Sequence, residues 1–355
     1  MKEPKSRRTQ SVVLASLALS TLFLFNQAAS AAPASAATDA AQPACSSLPQ
    51  SSAPKASISN GLVNAIVYLP DPKTGYNRGS RFDWSGMVGC LAYKGHTYFG
   101  VWFPHYDPLL HDAITGPVEE FRSADGASAP GYDQAKPGEP FLKIGIGMLR
   151  RIDDSPFKFL APYPIVDGGK WTIHTAPSSV SFRHDLKSSS GFAYIYKKTL
   201  KLDPDQPVLL LVHELKNTGT KTIETEVYDH DFFMLDGAPT GPGMAVHFPF
   251  APVAAKPLGN GARIDGHDLV YDRELQTGES ATSFLTGFSA APADYDFSVE
   301  NRNTGVGVEQ SSDAPIARMN FWSIRTTICP EAYIHLTIPP GQTAHWTIRY
   351  RFYAK

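Results

Sequence analysis

The chain has 355 residues with 34 acidic and 32 basic side chains, a formal net charge of -2. The charges are interspersed, so there is no basic stripe of the kind that binds nucleic acid or an anionic membrane surface. Three cysteines are too few for a disulfide scaffold, and none stands in a CxxC spacing that would hold zinc.

The N-terminus begins with Lys2, Lys5, Arg7 and Arg8, continues with the apolar run Ser11 to Phe25, and reaches Ala29-Ser30-Ala31. That order is a secretory signal peptide over residues 1–31, and it predicts a secreted or periplasmic protein after cleavage. The run is short for a membrane span and no later stretch is longer, so no span is expected in the mature chain. Residues 32–56, rich in Ala, Ser and Pro, read as a flexible leader. Residues 57–355 are enough for one large domain. Cys45 falls in the leader. Cys90 and Cys329 read as buried small hydrophobes, with a Cys90–Cys329 disulfide as the alternative.

The stretch Gly75 to Phe121 interleaves aromatics (Trp84, Trp102, Tyr106) with Arg81, His105, Asp107, His111, Glu119 and Glu120. Ring faces for sugar C–H groups beside polar groups for hydroxyls suit a carbohydrate ligand. His105, Asp107, His111 and Glu119 form a weaker metal candidate whose spacing matches no metal motif. Ordinary packing and hydrogen bonding explain such a segment equally well.

Helix signals are nearly absent, with 29 prolines, 28 glycines and no sustained 3.6-residue period. Period-two alternation replaces it. "GFAYIYKKTLKL" puts Phe192, Tyr194, Tyr196, Leu200 and Leu202 on one face, and "HWTIRYRFY" does the same for Trp346, Ile348, Tyr350 and Phe352. Turns follow at Asp203-Pro204-Asp205, Asn217-Thr218-Gly219 and Pro339-Pro340-Gly341. The expected architecture is all-β, a single large antiparallel β-sandwich.

Thr222 to Asp236 is a strand entering a polar and aromatic cluster, with Ile223, Thr225 and Val227 on one face and Tyr228, His230 and Phe232 on the other. A histidine between Asp229 and Asp231 can be held in one tautomer with its outer nitrogen toward a ligand. The structural alternative is a core histidine satisfied by its neighbours.

Four motifs in order resemble the aldose 1-epimerase, or galactose mutarotase-like, superfamily: the strand pair ending in Asn217-Thr218-Gly219, "YDHDFFMLD", "ICPEAYI", and the closing "IPPGQTAHWTIRYRF". The resemblance is firmest over residues 190–355 and implies a β-supersandwich. It further implies that His230 is the general acid and Glu331 the general base of a sugar epimerase, working on opposite sides of one acetal. By position, "FLKIGIGMLRR" replaces a family loop and puts Lys143 and Arg150 where sugar hydroxyls are held. Arg81, Trp84, Asp229 and Glu119 complete the expected substrate-binding set, while Asp265 and Asp268 stay unassigned. No cofactor is expected, and the expected partner is a mono- or oligosaccharide. Two alternatives remain open: a lyase or other enzyme acting on oligosaccharides or glycosides, metal-assisted or not, and a non-catalytic sugar-binding sandwich.

Overall fold

Alternating apolar and polar side chains make antiparallel strands of most of residues 52–355, the part of the chain that this computed structural model describes. The expected signal peptide and residues 32–51 of the expected leader lie outside the described residues. The end of that leader is part of a sheet, because Lys55–Ser59 pairs with Val63–Tyr68. Among the described residues the one helical segment is a 3₁₀ turn, Pro292–Asp294, and no helix is long and apolar enough to cross a membrane.

Two large sheets dominate. The ten-stranded sheet runs in the order Ala262–Asp265, Asp268–Tyr271, Met244–His247, Asp296–Asn301, Val306–Ser312, Thr343–Ala354, Val208–Asn217, Ala193–Leu202, Ser179–Lys187, Lys170–Ala176. The six-stranded sheet runs Val253–Ala254, Ser280–Thr286, Arg318–Ile324, Thr327–Ile338, Ile223–His230, Val118–Ser123. One core joins their facing sides: Phe121 of the smaller sheet meets Tyr196 at 5.5 Å and Trp346 at 6.2 Å of the larger. This is the antiparallel β-sandwich that the alternation predicts. Two small sheets flank it, one from Lys55–Ser59 to His96–Phe99 and one of Pro140–Lys143, Gly147–Arg150 and Ile165–Asp167.

The alternation also carries polar groups inward. Lys198 shares the phase of Tyr196 and Leu200, and it is fully buried against the Ser85 carbonyl at 2.9 Å and the Glu119 carboxylate. His213, stacked on Trp346 at 4.5 Å, bonds the other Glu119 oxygen at 2.8 Å. Asp229 and Asp231 both contact the Tyr350 hydroxyl, at 2.5 and 2.8 Å. One phenol proton cannot serve two carboxylates, so a carboxyl proton must enter this group. Burial accordingly raises the Asp229 carboxyl to about 8 and Asp83 to about 7. Burial acts on Glu119 in the same direction, but Lys198 and His213 outweigh it and hold that carboxylate below its ordinary value.

Cys90 is disulfide-bonded and Cys329 is a free buried thiol, so the two are not joined to each other.

Candidate active site

The site lies on the outward face of the six-stranded sheet. Val227 and Asp229 turn inward to the sandwich core, so their neighbours Tyr228 and His230 turn outward. The same phase brings out Glu120 and Arg122 from Val118–Ser123, Asn320 and Trp322 from Arg318–Ile324, and Glu331 and Tyr333 from Thr327–Ile338. The register of Ile223↔Ile338 to Val227↔Ile334 recurs at the bridge Phe233↔Ile328, which sets His230 opposite Glu331 and Tyr228 opposite Tyr333. His230 Nε2 stands 3.4 Å from Glu331 Oε1, and the two tyrosine rings stack at 4.2 Å. Two motifs remote in sequence are thus cross-strand neighbours. With Arg81, Trp102, Phe159 and Phe232 they line a cavity of about 360 Å³.

Burial raises the Glu331 carboxyl to about 7, against the Asn320 amide, which donates to its Oε2 at 3.0 Å. Burial, and then the Arg81 guanidinium, hold the His230 imidazole well below its ordinary value. Below about pH 7 the pair therefore carries a single proton, resident on the glutamate.

Among the described residues no polar group orients His230 from behind, because its Nδ1 is buried without a partner there. The flanking aspartates, expected from the sequence to hold its tautomer, face the opposite way toward Tyr350. Packing holds the ring instead: Phe232 stacks on it at 3.8 Å, and Phe82 and Trp322 meet it edge-on at 5.7 and 5.5 Å. Phe232 reaches this position at φ +48°, in the left-handed region that costs a non-glycine residue on the order of 1–3 kcal/mol. Its N–H donates to Cys329 Sγ at 3.2 Å, which helps to hold that turn. The chain leading into Val118 passes so close that a Cβ at Gly116 would lie 1.9 Å from the Asp231 carbonyl oxygen.

Beside the pair, Glu120 is a buried hub. It accepts from Tyr228 Oη at 2.6 Å, Arg81 Nε at 3.1 Å, Arg122 Nε at 3.2 Å and Lys143 Nζ at 3.3 Å. Burial alone would raise its carboxyl, yet Lys143, Arg81 and Arg122 hold it well below the usual range. The two arginines thereby become fixed parts of the cavity wall, with Phe159 against both guanidiniums at 4.8 and 4.9 Å.

Of the residues expected from sequence, the cavity gathers His230, Glu331 and Arg81. Lys143 sits behind Glu120, fully buried, where burial lowers its ammonium to about 8. Glu119 and Asp229 face the inter-sheet core. Trp84 belongs to a separate aromatic cluster, its indole donating to the Gly79 carbonyl at 2.9 Å, and Arg150 is exposed. His105 and Asp107 are exposed, and His111 lies 2.9 Å from Asp112. Among the described residues no three His, Cys, Asp or Glu gather as a metal site. Asp265 pairs with Arg263, and Asp268 with Arg302 and His247. Sequence reading passes over Arg122, Asn320, Trp322, Tyr228 and Tyr333 as site residues. Their one signal is a polar or aromatic side chain at every second position of an otherwise apolar strand.

A proton donor and acceptor side by side, rather than on opposite faces, suit two oxygens borne by one carbon. The aromatic rings Trp102 and Trp322 supply apolar surface and the arginines supply donors, as a polyhydroxylated ring requires.

No protein-family model matches the chain, and no curated protein resembles it in sequence. Solved structures do resemble it. A protein from Synechocystis sp. PCC 6803 matches at TM-score 0.52 and 12% identity, over 85% of this chain and 96% of that one. A candidate aldose 1-epimerase from Escherichia coli K12 matches at 0.51 and 10%, over 85% and 99%. A GalM/aldose epimerase homologue from C. elegans matches at 0.51 and 14%, over 84% and 98%. At such identities the likeness is one of fold, and the chain has the galactose mutarotase-like fold.

Proposed function

We propose that the protein is an exported sugar epimerase of the mutarotase type, in which Glu331 and His230 exchange protons with the two oxygens of an anomeric carbon. The observation that carries this reading is the His230–Glu331 pair, 3.4 Å apart in an aromatic cavity. For ring opening the shared proton passes across the 3.4 Å contact to His230. The Glu331 carboxylate then takes the proton of the anomeric hydroxyl while protonated His230 delivers its own to the ring oxygen. The ring C–O bond breaks and its electron pair stays on the ring oxygen. The resulting aldehyde turns about the bond to its neighbouring carbon. Reclosure reverses both transfers: His230 recovers the proton from the attacking hydroxyl, and Glu331 returns one to the carbonyl oxygen. The pair holds one proton throughout, which its buried setting favours near neutral pH.

Export is supported by the basic, apolar and small-residue order of residues 1–31 and by the disulfide at Cys90, which suits an oxidising compartment.

The test is anomer interconversion of free aldoses, followed by NMR, for the wild type, His230→Gln and Glu331→Gln. Each substitution should lower the catalysed rate by about 10²–10⁴-fold with the fold retained. Unchanged rates in folded variants would overturn the reading.

A further inference from the structure

A second cavity, of about 890 Å³, belongs neither to the His230–Glu331 pocket nor to the inter-sheet core. It is lined by Arg78, Trp84, Tyr163, Lys170 and Trp171 among others. Two chain segments are shared between the two cavities. One supplies Arg78 here and Arg81 to the pocket; the other supplies Tyr163 here and Phe159 to the pocket. At their junction Ser80 Oγ donates to the Ala161 carbonyl at 3.2 Å and accepts from the Tyr163 N–H at 3.0 Å. Arg78 and Arg81 are three residues apart, a reach of at most about 11 Å. Lining residues of the two cavities therefore stand within the span of one short oligomer at this junction.

The second cavity is also built to hold a ring. Trp171 stacks on His184 at 4.1 Å with the planes 4° apart. His184 is itself clamped, its Nε2–H donating to the Gly168 carbonyl at 2.9 Å and its Nδ1 accepting from the Tyr194 hydroxyl at 2.8 Å. The indole is thus fixed before any ligand arrives, which lowers the ordering cost of binding. The Arg78 guanidinium and the Lys170 ammonium also line the cavity and are donors for a ligand's oxygen atoms. The Trp171 ring beside these donors suits a sugar ring with its hydroxyl and ether oxygens.

We infer that this cavity binds a second sugar residue of the same ligand, so that the protein acts on a reducing oligosaccharide that crosses the Ser80–Ala161 contact. The inference rests on the sugar-epimerase reading of the first pocket.

The test is isothermal titration calorimetry of the full chain with D-glucose, D-galactose and a panel of neutral trisaccharides including cellotriose, maltotriose and galactotriose. At least one trisaccharide should bind about tenfold or more tighter than its monosaccharide. Trp171→Ala and Arg78→Leu should each cut that ratio to below about threefold. Trp171→Phe, which keeps a ring on His184, should retain most of it and guards against a folding defect in the alanine variant. Wild type that interconverts monosaccharide anomers without any trisaccharide preference would overturn this inference alone, as would a preference that survives both substitutions. Neither binding nor turnover of any sugar would overturn the functional reading and this inference with it.

Discussion

Asn320 sets the pH range in which the proposed pair works. The working form holds one proton, so activity is present while Glu331 keeps that proton and is lost as pH rises through its value of about 7. Activity is also lost in acid, once His230 takes a second proton well below the ordinary imidazole value. The Asn320 amide donates at 3.0 Å to Glu331 Oε2 and favours the ionised carboxylate. A hydrogen bond to a charged group contributes roughly 1.5–3 kcal/mol. At about 1.4 kcal/mol per pH unit, Asn320→Ala should move the alkaline limb upward by roughly one to two units. The assay is kcat/KM for anomer interconversion from pH 5 to 10, corrected for the solvent reaction, in the wild type and the variant. A limb that stays in place or moves to lower pH in a folded variant would refute the reasoning.

Glu120→Gln should be far more damaging than its absence from the proton transfer suggests. It leaves Arg81, Arg122 and Lys143 buried around a neutral group, and the loss should be about 3–5 kcal/mol in urea unfolding; a loss under about 1 kcal/mol would show that the hub is not what compensates these charges. Asp229→Asn tests the inner carboxyl group by stability alone. The folded-state value of Asp229 is raised to about 8 from 3.8, so its contribution is present in acid and is lost as pH rises from about 4 to 8. Asparagine mimics the protonated form and does not titrate. The variant should therefore gain on the wild type across that window by up to a few kcal/mol at about 1.4 kcal/mol per unit. A pH-independent difference between the two would contradict the assignment.

Much of the molecule is legible in the sequence because period two is a local property. The alternation in "GFAYIYKKTLKL" and "HWTIRYRFY" tells which residues share a face, and those apolar residues are buried as a sandwich requires. The same alternation separates Tyr228 and His230 from Val227 and Asp229. It does not tell which phase faces the sandwich core and which the pocket, since both faces of that strand are buried. Glu119 and Glu120 show the consequence. The sequence singles out Glu119 for the substrate, but Glu119 meets Lys198 and His213 inside the sandwich while Glu120 anchors the pocket arginines. Lys198 is similar: its charge argues for solvent, and only a carboxylate from a distant strand makes its burial tolerable.

The sequence by itself determined an all-β sandwich, the phases of its long strands, and the four motifs whose order resembles the aldose 1-epimerase superfamily. The tertiary structure alone decided that His230 and Glu331 meet, that the aspartates beside His230 face away from it, and that Arg122, Asn320 and Trp322 join the pocket. The physical reason is strand register. Faces follow from spacing within one strand, whereas opposition across strands depends on pairings set by the whole sheet, where a slip of one residue would turn His230 to the other side.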